Sequence, residues 1–389
     1  MVTPSGPSVK AIYEIAANFN RSHQGVNVEI SAISGTIPIN VFLGSKFAVG
    51  DEPDIMIYQA GQSTRIFAQG DHLLDLSGLN FEERFISGAD RYCRYRGRLY
   101  ALPLDINASG LLIQMSVLWK ASIGNQDNRA IPRTLDEFIA SCERLRRAGF
   151  QYPVLVDASS ETGASYFLYQ YIHQNVYETN HAFYTELLDG KKKWTDREFA
   201  EAYEAYERIR PYVLPDAMYI DRDQAVRRFA LGEAAYLIGD SGYLSRIRKI
   251  VSELDMILVP PPWKDDPSKV KPILGVDTVI SASGVTPYPE EVIAFLREFV
   301  STRGADLYSG AVGSISSMRD SAFRHDYSLG PENDVFKSGL TEFTFREWLP
   351  GFNIAFKKIN REWLDGRSSA SILEELELIH RRLVMETGI

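Results

Sequence analysis

Apolar residues recur at helical spacing over residues 9–20, where Ile12, Ile15 and Phe19 fall on one face. They alternate with polar residues over 26–30 (Val-Asn-Val-Glu-Ile), the period of a strand with one face covered. After the turn Gly50-Asp51-Glu52-Pro53, the run Asp54-Ile55-Met56-Ile57-Tyr58 reads as a buried strand. A strand–helix–strand order is thus set early, and its continuation predicts an α/β architecture. Thr134 with Glu137, and Thr195 with Glu198, have the spacing of a capping box, so a helix is expected after each. The first carries Phe138, Cys142 and Leu145 and ends near Gly149; the second carries Phe199, Tyr203, Tyr206 and Ile209. Pro289 opens a further helix through Val292, Phe295, Leu296 and Phe299. Residues 371–384 form an amphipathic one, with Ile372, Leu376, Ile379 and Leu383 on one face.

Two stretches break this alternation. Residues 100–104 are largely apolar, 105–110 (Asp-Ile-Asn-Ala-Ser-Gly) are mostly small or polar, and 111–115 are largely apolar again. Such a chain leaves one strand, bends and enters another, as at a crossing between substructures. Strand 256–259 is followed by Pro260-Pro261-Pro262-Trp263, a charged loop over 264–271 and an extended apolar stretch over 273–280. This is a second crossing.

A length of 389 residues fits two or three domains and a core that needs no staples. The net charge of −9 argues against a nucleic-acid partner, since phosphate contacts need a basic surface. Lys191-Lys192-Lys193 is too short to reverse that and reads as a solvated turn. Cys93 and Cys142 lack metal or redox spacing, and Cys142 on an apolar helix face reads as a buried thiol. The six histidines form no HExxH or ligand cluster, so neither metal nor cofactor is expected. No apolar run approaches the ~20 residues of a membrane span. The opening MVTPSGPS reads as the end of a first strand, which implies a form from which a leader has been removed.

Several segments, in order, resemble the family 1 extracellular solute-binding proteins of carbohydrate ABC importers, the maltose-binding-protein-like receptors. The similarity spans residue 9 to the C-terminus. Phe19 to Val28 is similar to the family's F-x-x-x-x-P-G-x-x-V, with Gln24 in place of Pro. Gly50-Asp51-Glu52-Pro53-Asp54-Ile55 resembles G-x-x-P-D-V, and Leu73-Leu74-Asp75-Leu76 its L-x-x-L. Gly97 to Pro103 resembles G-K-x-Y-A-L-P, and Pro132 to Phe138 P-x-T-W-D-E-L, with Leu135 at the Trp position. Phe229 to Tyr236 resembles F-x-x-G-x-A-A-M. The chain departs from the family at Gly239-Asp240-Ser241-Gly242-Tyr243, where G-x-W is usual and the Trp stacks on ligand.

The resemblance implies a two-lobe periplasmic-binding-protein-like fold of type II, each lobe a mixed sheet flanked by helices. Lobe 1 would take residues 1–108 and 277–312, and lobe 2 residues 109–276 and 313–389. Hinge crossings are expected near 104–110, 272–279 and 309–316. The implied function is an extracellular or periplasmic receptor, with or without a lipid anchor. It would be a monomer that closes on a carbohydrate, an oligosaccharide, and delivers it to membrane permease subunits without bond chemistry. Asp105 leads the expected ligand contacts, because the family often has an acid there; its alternative is a structural hinge hydrogen bond. Loops after strands add Ser34, Thr36, Tyr58, Gln59 and Gln62, with Asp277 in the second crossing. Asp240, Tyr243, Trp263 and Trp348 complete the set, Tyr243 standing in for the stacking Trp.

Gly239-Asp240-Ser241-Gly242 also matches the surroundings of a trypsin-like serine, but neither a Cys framework nor an all-β pattern accompanies it. A glycoside-acting enzyme would need two carboxylates at a set separation, and none of the 51 acidic residues stands in a recognisable motif. A receptor for a polyamine or phosphate ester is the other alternative.

Overall fold

The computed structural model describes residues 1–34, 39–125, 130–322, 348–349 and 351–387. In chain order its strands are β1 (Val2–Pro4), β2 (Ser31–Ile33), β3 (Ile55–Gln59), β4 (Arg94–Tyr95), β5 (Arg98–Leu99), β6 (Leu102–Pro103), β7 (Asp105–Gln114), β8 (Val154–Leu155), β9 (Tyr236–Asp240), β10 (Met256–Val259), β11 (Ile273–Val276), β12 (Thr278–Ala282) and β13 (Ile315–Ser316). They divide between two compact units. Among the described residues, unit 1 holds 1–107 and 274–322, and unit 2 holds 108–273, 348–349 and 351–387.

Unit 1 is built on a sheet of order β2-β1-β3-β12-β6. The first three strands are parallel, and β12 runs antiparallel to both β3 and β6. Ile55, Met56, Ile57 and Tyr58 are all buried, the continuous apolar run expected of a strand covered on both faces. Helices Ser8–Ser22 and Pro289–Phe299 supply cover: Ile12, Ile15 and Phe19 are buried, and Phe19 meets Phe295 edge to face at 5.2 Å. Burying each such phenyl contributes about 1.5–3 kcal/mol. Pro289 opens its helix where a missing N–H is harmless, and Glu290 and Glu291 fill the first turn beside the positive helix end.

Unit 2 is built on β10-β7-β9-β8, with β7 antiparallel to both neighbours and β8 parallel to β9. Its core is aromatic: Trp194, Trp263, Tyr203, Phe138, Phe183 and Phe199 are among its largest fully buried side chains. Gly110 is required where β10 approaches, since a Cβ there would meet the Val259 carbonyl oxygen at 2.2 Å.

The structure corrects several sequence expectations. Residues 26–30 are not a strand; the strand starts at Ser31. The Asn20 side chain accepts from the Val28 N–H at 2.9 Å, taking a group that a ladder would use. Thr134 caps its helix, but Glu137 reaches back to the Arg133 N–H rather than to the cap's own. Thr195 does not cap: helix Arg197–Ile209 starts after Asp196, and Glu198 pairs with Lys192. On the C-terminal helix, Glu377 and His380 are buried while Ile379 and Leu383 are only half-buried. Glu377 belongs there because its carboxylate accepts from the Trp194 N–H at 2.8 Å.

Residues 313–322 also depart from expectation, grouping with unit 1 rather than the second lobe. β13 pairs with Asp105 and Ile106, the unit 1 end of β7, and Ser317 donates to the Pro103 carbonyl at 2.7 Å. Within residues 1–322 the chain passes from unit 1 to unit 2 at 107/108, inside β7, and back at 273/274. Both cysteines are free, buried thiols.

Candidate functional site

Ligands of open α/β sheets bind at the C-terminal ends of strands, so those edges come first in each unit. In unit 1, β1, β2 and β3 end together at Pro4, Ile33 and Gln59, and Ser34 follows β2. Ser34 and Gln59 are exposed. After β3, Gly61 takes φ 105°, a conformation open to glycine, and turns the chain into helix Gln62–Gln69, with Gln62 half-buried on its first turn. Asn40 donates to Ser63 at 2.6 Å. Asp277, half-buried, accepts at its carbonyl from the Ala60 N–H at 2.9 Å. This edge is made of neutral amides and hydroxyls around one partly exposed acid.

Asp105 and Tyr58 sit deeper. Asp105 is buried, and its Oδ1 accepts from the Thr278 N–H at 2.9 Å, joining β7 to the start of β12. Its carboxylate thus makes a structural hydrogen bond within unit 1. Tyr58 is wholly buried and its hydroxyl shares a 2.8 Å hydrogen bond with Ser281; burial pushes its pKa up. It packs in the core of the sheet. Thr36 lies outside the described residues.

In unit 2 the parallel strands β8 and β9 end in charge. Asp240 closes β9 and Asp157 follows β8. Helix Glu161–Ile172, capped by Ser160 through the Gly163 N–H at 2.9 Å, carries Tyr166 to the same place. Helix Arg222–Ala230 starts there in a full capping box between Asp221 and Gln224. Asp240 accepts from Arg222 Nη2 at 2.8 Å, from the Gly242 N–H at 2.8 Å and from the Tyr166 hydroxyl. The Tyr243 hydroxyl faces Asp157. The Arg222 guanidinium lies 4.3 Å above the Tyr243 ring.

Burial sets the electrostatics. Asp157 is 2% exposed, and burial lifts its carboxyl to about 6, although Tyr243 and Arg222 oppose the rise. Burial and then Asp240 push the Tyr166 hydroxyl well above its ordinary value. Burial would lower Arg222, but Asp240, Tyr166, Tyr243 and Asp157 hold it above its usual value. The cluster thus carries the Arg222–Asp240 ion pair and one acid, Asp157, that titrates in mildly acidic solution.

Three of the expected aromatic contacts are buried, for one reason. Tyr243 has no exposed surface, beneath Arg222. Trp263 is buried against Phe167 and Phe138 at 4.8 and 5.3 Å, and its indole N–H donates to Gln170 at 2.9 Å. Trp348 is buried among Tyr169, Trp194 and Phe356, and donates to the Tyr177 hydroxyl at 3.0 Å. Aromatic surface of this size is worth more packed in a core than held in water. Asp240 is likewise buried, and acts on its neighbours rather than on solvent.

Asp157, Tyr166 and Arg222 were not singled out from sequence. Asp221-Arg222-Asp223-Gln224 does carry a helix-start signal, and Asp157 follows the apolar run Val154-Leu155-Val156. Among the described residues no group of His, Cys, Asp or Glu is arranged to hold a metal ion, and no helix is long and apolar enough to cross a membrane.

The family model for bacterial extracellular solute-binding proteins matches residues 3–306. The chain belongs to that family. The solute-binding protein is also similar throughout to solved structures. A chitin oligosaccharide binding protein superposes with TM-score 0.84 at 16% identity, over 99% of this chain and 98% of the other. The solute-binding protein RafE in complex with raffinose gives 0.82 at 15%, over 99% of each chain. A Bacillus licheniformis sugar transporter in complex with stachyose gives 0.79 at 15%, over 98% and 99%. At these identities the likeness establishes the fold: two α/β units of the solute-binding type. A search of curated protein sequences finds no match.

Proposed function

We propose that this solute-binding protein is the extracellular receptor of an ABC importer for an oligosaccharide. The observation that carries the reading is the family match over 304 residues (3–306), joined to a unit 1 strand-end edge of hydroxyl and amide groups and a guanidinium at the strand ends of unit 2. Sugars present hydroxyls that both donate and accept, and these side chains offer both. The sugar-bound structures named above share the fold along the whole chain.

The receptor acts without bond chemistry. Ligand contacts favour a closed state, as binding can do only when it is tighter in one state than another. The closed monomer then delivers its sugar to permease subunits, whose ATPase supplies the driving force. Ser34, Gln59, Gln62 and Asp277 are the unit 1 residues placed to meet ligand.

The test is a melting series with raffinose, stachyose and chitin oligosaccharides. A binding sugar at a hundredfold excess over Kd should add about 2.7 kcal/mol of stability and raise Tm by several degrees. Sugar products should not accumulate. Release of reducing ends would make the protein an enzyme, and a rise only with polyamines or phosphate esters would reassign the solute.

A further inference from the structure

Of the five residues of the charged cluster in unit 2, Arg222 is the one with a face to solvent, beside Asp221, Asp223 and Gln224, which are exposed on the same helix start. Asp157, Tyr166, Asp240 and Tyr243 are all buried, whereas the Arg222 side chain keeps 34% of its surface. Arg222 is also fixed. Its Nη2 donates to Asp240 at 2.8 Å, and its guanidinium carbon lies 4.3 Å from the centroid of the Tyr243 ring. The neighbouring Gly242 leaves room for this: a Cβ there would lie 2.7 Å from Arg222 Nη2 and 2.9 Å from Asp240 Oδ1.

We infer that Arg222 is the specificity-determining contact of unit 2, donating hydrogen bonds to the hydroxyls of a neutral sugar ring where the resemblance assigns aromatic stacking. The inference rests on the receptor reading above and deepens it. A ligand arriving at the ends of β8 and β9 meets the guanidinium before it can meet Tyr243. Guanidinium carries five N–H donors in a rigid plane; the Asp240 bond engages Nη2 and Nε is buried, so the terminal nitrogens meet ligand. Because Asp240 already compensates the charge, the edge suits an uncharged polyhydroxyl ligand better than an acidic one. Recognition by directed hydrogen bonds also discriminates between ring epimers, which a stacking face does weakly.

The test is calorimetry with raffinose, stachyose, a chitin tetrasaccharide and a glucuronic-acid-containing oligosaccharide. It uses the wild type, Arg222→Lys and Arg222→Gln, with the ligand-free Tm of each measured alongside. Lysine keeps a positive charge opposite Asp240 and loses the fork; glutamine keeps a planar amide and loses the charge. A neutral sugar should bind the wild type most tightly. Both variants should bind it at least tenfold more weakly, with the ligand-free Tm of Arg222→Lys within a few degrees of wild type. Should either variant fail to fold, arginine-selective ¹⁵N labelling of the wild type decides, since the sugar must move a guanidinium resonance that is absent from the other variant. Wild-type-like affinity in both variants, or preference for the acidic sugar, overturns the inference and leaves the receptor reading standing. No binding of any of the four sugars by the wild type overturns both.

Discussion

The two strand-end edges are built on opposite principles. In unit 1, Ser34 and Gln59 stand in water, Gln62 and Asp277 are half-covered, and the edge carries little charge. In unit 2, Asp240 binds Arg222 and Tyr166, Arg222 lies over the Tyr243 ring, and Asp157 is buried beside them. An exposed amide gives up rotamer freedom when it binds. A side chain already held by an ion pair has lost that freedom on folding. The contrast teaches that one edge is adaptable and the other preorganised. Substitutions of the buried members of the unit 2 cluster should therefore cost stability, whereas those at Arg222 and along the unit 1 edge should cost chiefly affinity.

The sharpest break is Asp240→Ala. It strands the Arg222 charge and removes the acceptor of both Tyr166 and the Gly242 N–H, so unfolding free energy from urea titration should fall by about 3–5 kcal/mol. A loss below about 1 kcal/mol would mean that the ion pair holds nothing. Next comes pH. The folded Asp157 carboxyl is raised from 3.8 to about 6, so its protonated form is favoured in the folded state. Its contribution is fully present below pH 4 and lost as pH rises through 6, by at most about 3 kcal/mol. Asp157→Asn should flatten that decline in stability between pH 4 and 7, measured by urea midpoints at each pH. An unchanged slope would place the titration elsewhere.

A middle case is Asp105→Ala. Losing the acceptor of the Thr278 N–H should cost about 1–3 kcal/mol, and sugar affinity should drop more than tenfold through the displaced crossing. An unchanged Kd would confine Asp105 to holding β7 against β12. Gln59→Ala should be smallest in stability, within about 0.5 kcal/mol, as befits an exposed site. A several-fold weaker Kd with unchanged urea midpoint is the expected signature, and a loss matching that of Asp240→Ala would erase the contrast between edges.

Much of the architecture was legible because it rests on periodicity. Ile12, Ile15 and Phe19 occupy the face their spacing announces, and the run ending at Tyr58 is a buried strand. Where reading failed, a side chain had satisfied a backbone group from outside the local pattern, as Asn20 does for Val28 and Glu377 for Trp194. Aromatic residues misled most. A Trp or Tyr beside a strand end looks the same in sequence whether it faces solvent or core, and for Tyr58, Tyr243, Trp263 and Trp348 the core was the outcome. Arg222 escaped notice because its importance depends on Asp240 and Tyr243, which lie 18 and 21 positions on.

The placement of β12 carries a consequence for synthesis. It is an inner strand of unit 1, between β3 and β6, and its Thr278 pairs with Gln59 from 219 positions earlier. At a translation rate of roughly 5–20 residues per second, β3 would wait about 10–45 s for that partner. Throughout the interval Ile55, Ile57 and Tyr58 belong to an open hydrophobic strand edge, while the long continuous segment of unit 2 emerges and can begin to fold. The nascent chain is thus most exposed to misassembly in its first-made part, which is where a holding chaperone would find its binding segment.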